Sequence, residues 1–306
     1  MLTRRFKDRA VGEIGLGTWA IGGGRPTGYG ATDDEQSRAA IRKALECGVT
    51  FFDTADVYGC GRAESLLSEL LPRDVFVATK VGAEVVDGAL RPNFNPDYLR
   101  RAVEASLGRL RRDALDLVQL HNAPLDVIQE GGAIEALRRG GMTRHVGVSV
   151  RTVAEARAAV EAGVDAVQIV FNYLQTEVAD AILPAAARAG VAVIAREPLG
   201  RGLLTGKFRA DAVFAPNDIR ARWSRDELAR LVAQVDEFTA LLAPGLTPAR
   251  AALKFVLARP EVTVAIPGAK TPAQVAENCA ASDGRLDLAG DIFDEAALEE
   301  GLGGDA

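Results

Sequence analysis

Short apolar runs rich in Val, Ile, Leu and Phe recur along this chain at residues 14–17, 49–53, 75–80, 115–121, 145–150, 165–170, 191–195 and 262–267. Strands that are apolar on both faces belong to a parallel sheet covered by helices. Between the runs, apolar residues recur at helical spacing, as at Leu99, Val103, Leu107 and Leu110. Asp33 or Thr32 can cap a helix that runs to Cys47, where Gly48 supplies a left-handed stop before the next strand. The same helix–glycine–strand junction returns at Ala162-Gly163-Val164 and Ala189-Gly190-Val191. Eight βα units on one chain predict a closed (β/α)8 TIM barrel rather than an open doubly wound sheet.

Two additions to the barrel are expected. Residues 5–12 are polar around a turn at Lys7-Asp8-Arg9 and read as a short N-terminal β-hairpin. Residues 211–244 exceed what one crossover needs. They predict an inserted loop at Ala215-Pro216-Asn217-Asp218 and an additional helix, 225–242, before the eighth strand. No Pro/Ser-rich linker or composition break appears, so residues 1–306 are read as one domain. The glycine-rich stretch 22–30 reads as a surface loop, with a flap over a site as the alternative. It is no phosphate cradle, because it lacks a G-K-[ST] ending and no G-x-G-x-x-G opens a helix after its strand.

Composition narrows the classes. With 48% apolar and 25% charged residues the chain is ordinary for a globular protein. A net charge of −6 removes the electrostatic case for nucleic acid. Cys47, Cys60 and Cys279 are widely spaced and form no CxxC, which fits reduced thiols in a cytoplasmic protein; Cys60 reads as a passive loop thiol. The basic start at Arg4, Arg5, Lys7 and Arg9 is followed by no apolar signal segment, and no apolar run approaches the roughly 20 residues of a membrane helix.

The strand ends carry the chemistry. The run at 49–53 stops abruptly at Asp53, with Tyr58 five residues on. The next strands end at Lys80, at His121-Asn122 and at Ser149; Gln168 leads to Asn172, and the seventh ends at Arg196-Glu197. In a barrel these ends share the C-terminal face, where active sites lie. A phenol with a pKa near 10 is a poor acid, and an ammonium beside it favours the phenolate. Asp53 would keep Lys80 charged and oriented, and a neutral His121 could donate to a carbonyl oxygen. The set could protonate an oxygen as charge develops on it, but it needs hydride from a cofactor. Singly, Asp53–Lys80 is also read as a structural ion pair and His121 as a packed core residue. His145 begins its strand on the opposite face and is assigned a structural role.

These residues, in this order, resemble the aldo-keto reductase family over nearly the whole chain. The motifs are G-L-G-T-W (15–19), F-F-D-T-A-D-V-Y-G (51–59), A-T-K-V-G (78–82), D-L-V-Q-L-H (116–121), V-G-V-S (146–149), Q-I-V-F-N (168–172), P-L-G-R-G-L-L-T-G-K (198–207) and I-P-G-A-K-T-P-A-Q-V-A-E-N (266–278). The resemblance implies NAD(P)H-dependent reduction of an aldehyde or ketone, with Tyr58 as proton donor, Lys80 and Asp53 tuning it and His121 orienting the carbonyl. It implies that Ser149, Gln168 and Asn172 hold the nicotinamide carboxamide, and that Pro198, Leu199, Gly200, Gly202 and Lys207 wrap the pyrophosphate. Gly17, Thr18, Trp19 and Asp53 would border the cofactor. Ile266, Gly268, Lys270, Gln274, Glu277 and Asn278 would surround its adenosine end, at the start of a helix near Thr271-Pro272, a natural place for a phosphate.

Three departures stand out. Arg196-Glu197 replaces a stacking tyrosine and serine, and a planar guanidinium can still lie against a ring. Val150 follows Ser149 where many members have Asn. Gln274 stands where an arginine is common, leaving Lys270 as the main cation for a 2′-phosphate; NADPH is still favoured over NADH. The substrate pocket is expected to involve Trp19, Tyr58, His121, Asn122 and Trp223, with Tyr29, Glu84 and Phe94 on the loops above. A short tail after Asp291 suggests an open pocket suited to sugars or varied aldehydes. The expected partner is a small-molecule carbonyl, with no nucleic acid and no membrane, for a monomer or weak homo-oligomer without a metal. A cofactor-binding redox sensor, the reverse alcohol dehydrogenase reaction and a metal-dependent sugar isomerase remain the alternatives.

Overall fold

The computed structural model describes residues 1–24 and 28–284. The chain opens with an antiparallel hairpin, β1 (Thr3–Phe6) and β2 (Arg9–Gly12), then runs β3 (Leu16–Gly17), α1 (Asp34–Glu46), β4 (Phe51–Asp53) and α2 (Arg62–Leu70). There follow β5 (Phe76–Val81), the hairpin β6 (Ala83–Val86) and β7 (Ala89–Pro92), α3 (Pro96–Leu110), β8 (Leu115–His121), α4 (Leu125–Glu130), α5 (Gly132–Arg139) and β9 (Thr143–Ser149). The last part is α6 (Val153–Glu161), β10 (Ala166–Val170), α7 (Glu177–Ala189), β11 (Ala192–Arg196), α8 (Arg225–Ala240), α9 (Pro248–Leu257), β12 (Val262–Ile266) and α10 (Pro272–Cys279).

Eight of these strands pair in parallel in the order β12-β11-β10-β9-β8-β5-β4-β3. Parallel bridges from Ile14 to Ala265 and from Gly17 to Gly268 join the two ends of that sheet. The expected barrel, N-terminal hairpin and additional helix before the eighth strand are all present. Element ends differ from the apolar runs by one or two residues, as strand and helix termini commonly do. The hairpin β6–β7 is not visible in the apolar pattern because its residues are mostly half-buried or exposed. The tail after Asp291 lies outside the described residues. No helix among those described is long and apolar enough to cross a membrane.

Helix starts follow their caps. Asp33 accepts from the Gln36 N–H at the head of α1, and Thr152 and Glu155 form a reciprocal capping box on α6. Gly190 ends α7 in the left-handed region, as its place before an apolar strand predicts. The hairpin β1–β2 covers the N-terminal mouth of the barrel. Phe6 is fully buried, with its ring 4.7 Å from that of Phe76, and Arg9 pairs with Asp116 at 2.7 Å. His145 stands at this same end, its ring 5.6 Å from Phe6 and its Nε2 3.3 Å from Asp8, in keeping with a structural role.

Candidate active site

Side chains alternate along a strand, so each barrel strand sends every second residue inward. Up β4, β5, β8 and β10 these positions read Phe51 then Asp53, Phe76 and Ala78 then Lys80, Leu117 then Gln119, and Ala166 then Gln168. The lower residues share one apolar cluster with Phe6 and Val11. The upper ones are polar, and all are at most 2% exposed. Register sets Lys80 opposite Gln119 and Gln168 opposite Ser149. The core therefore changes from apolar to polar one layer below the C-terminal face.

Lys80 Nζ donates to Asp53 Oδ1 at 2.5 Å, to the Thr54 carbonyl at 2.9 Å and to Tyr58 Oη at 3.3 Å. Burial acts against this ammonium, but the Asp53 charge, Tyr58 and these hydrogen bonds outweigh it and raise the Lys80 pKa. Asp53 Oδ2 accepts from Gln168 Nε2 at 2.8 Å and from Gln119 Nε2 at 3.3 Å, and Gln168 Nε2 also donates to Gln119 Oε1 at 3.1 Å. Thr18 Oγ1 donates to the Asp53 carbonyl at 2.9 Å. Gln119 was not anticipated as a site residue. It stands in a run read as apolar, and only strand phase, two residues before His121, identifies it as inward.

Lys80 acts to lower the Tyr58 pKa, as expected, but a larger effect opposes it. Burial is the largest effect on Tyr58 and leaves its pKa above the ordinary phenol value, although Lys80 pulls it back down. The phenol is thus protonated at neutral pH. His121 has its ring 6.0 Å from that of Tyr58, edge to face. Burial, then the charges of Lys80, Arg196 and Arg151, holds it well below the usual histidine range, so it is neutral as expected. Its Nδ1 is buried without a partner among the described residues.

Tyr58 is delivered by a tight turn between β4 and α2. A Cβ on Gly59 would lie 1.9 Å from the Gly22 carbonyl oxygen, and its φ is +60°, so only glycine allows the two loops to meet behind the phenol. Beneath the turn, buried Glu64 accepts from Thr79 Oγ1 and from Arg109 Nε, each at 2.6 Å. Asp56 is pushed up to about 8 by burial and then by the Glu64 charge.

Above these residues opens a cavity of about 1460 Å³. That exceeds the roughly 300–1,000 Å³ of a typical small-molecule pocket, leaving room for a large ligand beside a small one. Of the expected residues, Gly17, Trp19, Asp53, Tyr58, Lys80, His121, Asn122, Ser149, Gln168 and Arg196 line it. So do Pro198, Leu199, Gly202, Lys207, Ile266, Gly268, Lys270, Gln274, Glu277 and Asn278. Four do not. Thr18 is buried beneath Asp53. Asn172 is fully buried and braces the next loop through Nδ2 to the Glu197 carbonyl at 3.0 Å. Gly200 lies in the left-handed turn behind, with φ +53°. Trp223 packs on Phe214 at 5.9 Å instead of facing the cavity. Glu84 and Phe94 do not line it either: Glu84 accepts from Asn93, and Phe94 fills the space beside Gly82. The tip of β6–β7, Gly88 to Leu90, takes their place.

Arg196 Nη1 lies 3.0 Å from Glu197 Oε1, Arg196 Nη2 donates to the Val150 carbonyl at 3.0 Å, and Arg201 Nε reaches Glu197 Oε2 at 2.8 Å. The glycine-rich loop contributes more than surface. Tyr29 lines the cavity, Gly28 bridges to Asp218, and Lys270 Nζ donates to the Tyr29 carbonyl at 2.5 Å. Arg220, also not anticipated, clamps Asp218 through Nε at 2.9 Å and Nη2 at 2.6 Å and lies 5.2 Å from the Tyr29 ring centre. Its place in the inserted loop gave no periodic signal.

Comparison with known proteins agrees with this architecture. The model of the Aldo/keto reductase family matches residues 13–289. The chain is 32% identical over 277 residues to aldo-keto reductase YhdN of Bacillus subtilis, covering 86% of this chain and 82% of that protein. It is 30% identical over 298 residues to the NADH-specific methylglyoxal reductase of Escherichia coli, covering 90% of each. Among solved structures, the glycerol dehydrogenase of Gluconobacter oxydans superposes with a TM-score of 0.78 at 30% identity, covering 92% of this chain and 90% of that one.

Proposed function

Because this chain belongs to the aldo/keto reductase family of carbonyl-acting, nicotinamide-dependent oxidoreductases, we propose that it reduces an aldehyde or ketone to the alcohol with Tyr58 as proton donor. The observation that carries this reading is Lys80 Nζ, held 2.5 Å from Asp53 Oδ1 and 3.3 Å from Tyr58 Oη on the floor of the cavity. A bound nicotinamide cofactor supplies the hydride. The residues handle the proton and the charge. Tyr58 gives its Oη proton to the oxygen that gains negative charge, and Lys80 stabilises the phenolate left behind. Asp53, fixed by Gln119 and Gln168, keeps Lys80 charged. Neutral His121 can donate a hydrogen bond to the carbonyl without competing as an acid. Run backwards, the same pair accepts a proton from an alcohol.

The residues fit a phosphorylated dinucleotide. Lys207, Arg220 and Lys270 line one end of the cavity in a chain of net charge −6, where the start of α10 is capped by Thr271. Local positive charge of this kind suits phosphates. At the other end Ser149 and Gln168 flank the polar floor, and Gln168 has committed only its amide nitrogen there. We favour NADPH over NADH because Lys270, at the mouth of this end of the cavity, offers charge to a 2′-phosphate, whereas Arg220 is paired with Asp218. Gln274 contributes none, since its Oε1 accepts from the Lys270 N–H at 2.7 Å. The NADH-specific relative makes the choice a matter for measurement.

Mixing the NADPH-loaded protein with excess 4-nitrobenzaldehyde tests the reading. Oxidation of the bound cofactor in one turnover is expected. A cofactor that stays bound and reduced would favour a redox sensor on the same fold.

A further inference from the structure

Arg151 lies two residues beyond Ser149, in the loop from β9 to α6, and lines the cavity of Tyr58 and His121. Its backbone is fixed at the rim, because its N–H donates to Glu155 Oε2 at 2.7 Å within the α6 capping box. Its side chain is exposed and has no hydrogen bond or ion pair to any described residue. The charge is near enough to add to the effects that keep His121 neutral.

The carboxylates of the cavity lining are all paired. Among cavity acids, Asp53 is paired with Lys80, Glu197 with Arg196 and Arg201, and Glu277 with Arg250 at 2.8 Å. An anion entering at this rim therefore meets an unpaired guanidinium and no unpaired carboxylate of the lining. The cavity walls include Trp19, Val57 and Leu90, which suit an uncharged spacer.

We propose that the preferred substrates are carbonyl compounds bearing an oxyanion, carboxylate or phosphate, at the end away from the carbonyl, and that Arg151 is the residue that selects them. A guanidinium matches both groups through paired N–H donors. This rests on the reductase reading and adds the substrate class to it. Because Arg151 is exposed, its contribution is that of a solvated ion pair, about two- to fivefold in kcat/KM, carried by KM and lost at high salt.

The test uses matched pairs at saturating NADPH: 4-carboxybenzaldehyde against 4-methylbenzaldehyde, and glyceraldehyde 3-phosphate against glyceraldehyde. Wild-type protein is expected to prefer the charged member of at least one pair, and the pair identifies the oxyanion. In Arg151→Ala the charged-to-neutral ratio should fall to about one, and in Arg151→Glu it should invert. Equal kcat/KM within both pairs, or a preference that survives in Arg151→Ala, would overturn the proposal while leaving the reductase reading intact. An Arg151→Ala effect on the KM for NADPH alone would also overturn it, assigning the guanidinium to the cofactor. Failure to reduce any of the four aldehydes would instead remove the reductase reading, and this inference with it.

Discussion

A buried ammonium is stable only where fixed dipoles and an anion replace its lost water. Lys80, at 1% exposure, has Asp53, a backbone carbonyl and the Tyr58 oxygen in that role. The same burial raises the Tyr58 pKa and lowers that of His121, so both are neutral in the free protein. A pH consequence follows for His121. Its charged form is disfavoured on folding, so the His121 imidazole does not titrate near the ordinary value of about 6.5. The rate of carbonyl reduction should therefore show no inflection near pH 6.5. An inflection near pH 6.5 that vanishes in His121→Gln would contradict this. Asp53, Tyr58, Lys80 and His121 were legible in the sequence because each interrupts or follows an apolar run. Gln119 was not, since a single polar residue inside such a run reveals its direction only once the strand's phase is known.

At the scale of elements, the loops divide the work. The segment after β3 and the one after β11 meet over the cavity through the Gly28–Asp218 bridge, and Lys270 ties the first of them to the loop ahead of α10. Their residues lie about 190 positions apart in the chain, and no periodic pattern relates them. That contact could not be read in advance, although the surplus length of residues 211–244 announced that something was inserted. Replacing Lys270 with Ala should raise the Kd for NADPH about tenfold, the loss of one charge-assisted contact, while changing that for NADH roughly twofold at most. Titrations monitored by cofactor fluorescence separate the two. Equal weakening would remove Lys270 from the 2′-phosphate and leave it as a tie to the Tyr29 loop.

Along β4, β5, β8 and β10 the barrel interior is layered: apolar toward the N-terminal end, polar one layer below the opposite face, open above. Its strand count and junctions were legible because each αβ unit repeats the same helix–glycine–strand grammar. The layering was not, because it depends on which residues of successive strands share a height. Stability and chemistry should therefore separate along the axis. Phe6→Ala, at the apolar end, should cost about 3–5 kcal/mol and lower Tm by roughly 5–15 °C. The KM values for cofactor and aldehyde should not move at temperatures where the variant is folded. A KM change without loss of Tm would mean that the two ends are coupled.

The central claim is that Tyr58 supplies the proton. Stopped-flow oxidation of NADPH by an aldehyde, in wild type and in Tyr58→Phe, tests it most directly, with cofactor affinity measured on the same samples. The predicted result is a fall of about 10²- to 10⁴-fold in the oxidation rate with NADPH affinity held within a few-fold. A Tyr58→Phe variant that oxidises NADPH at close to the wild-type rate would contradict the mechanism.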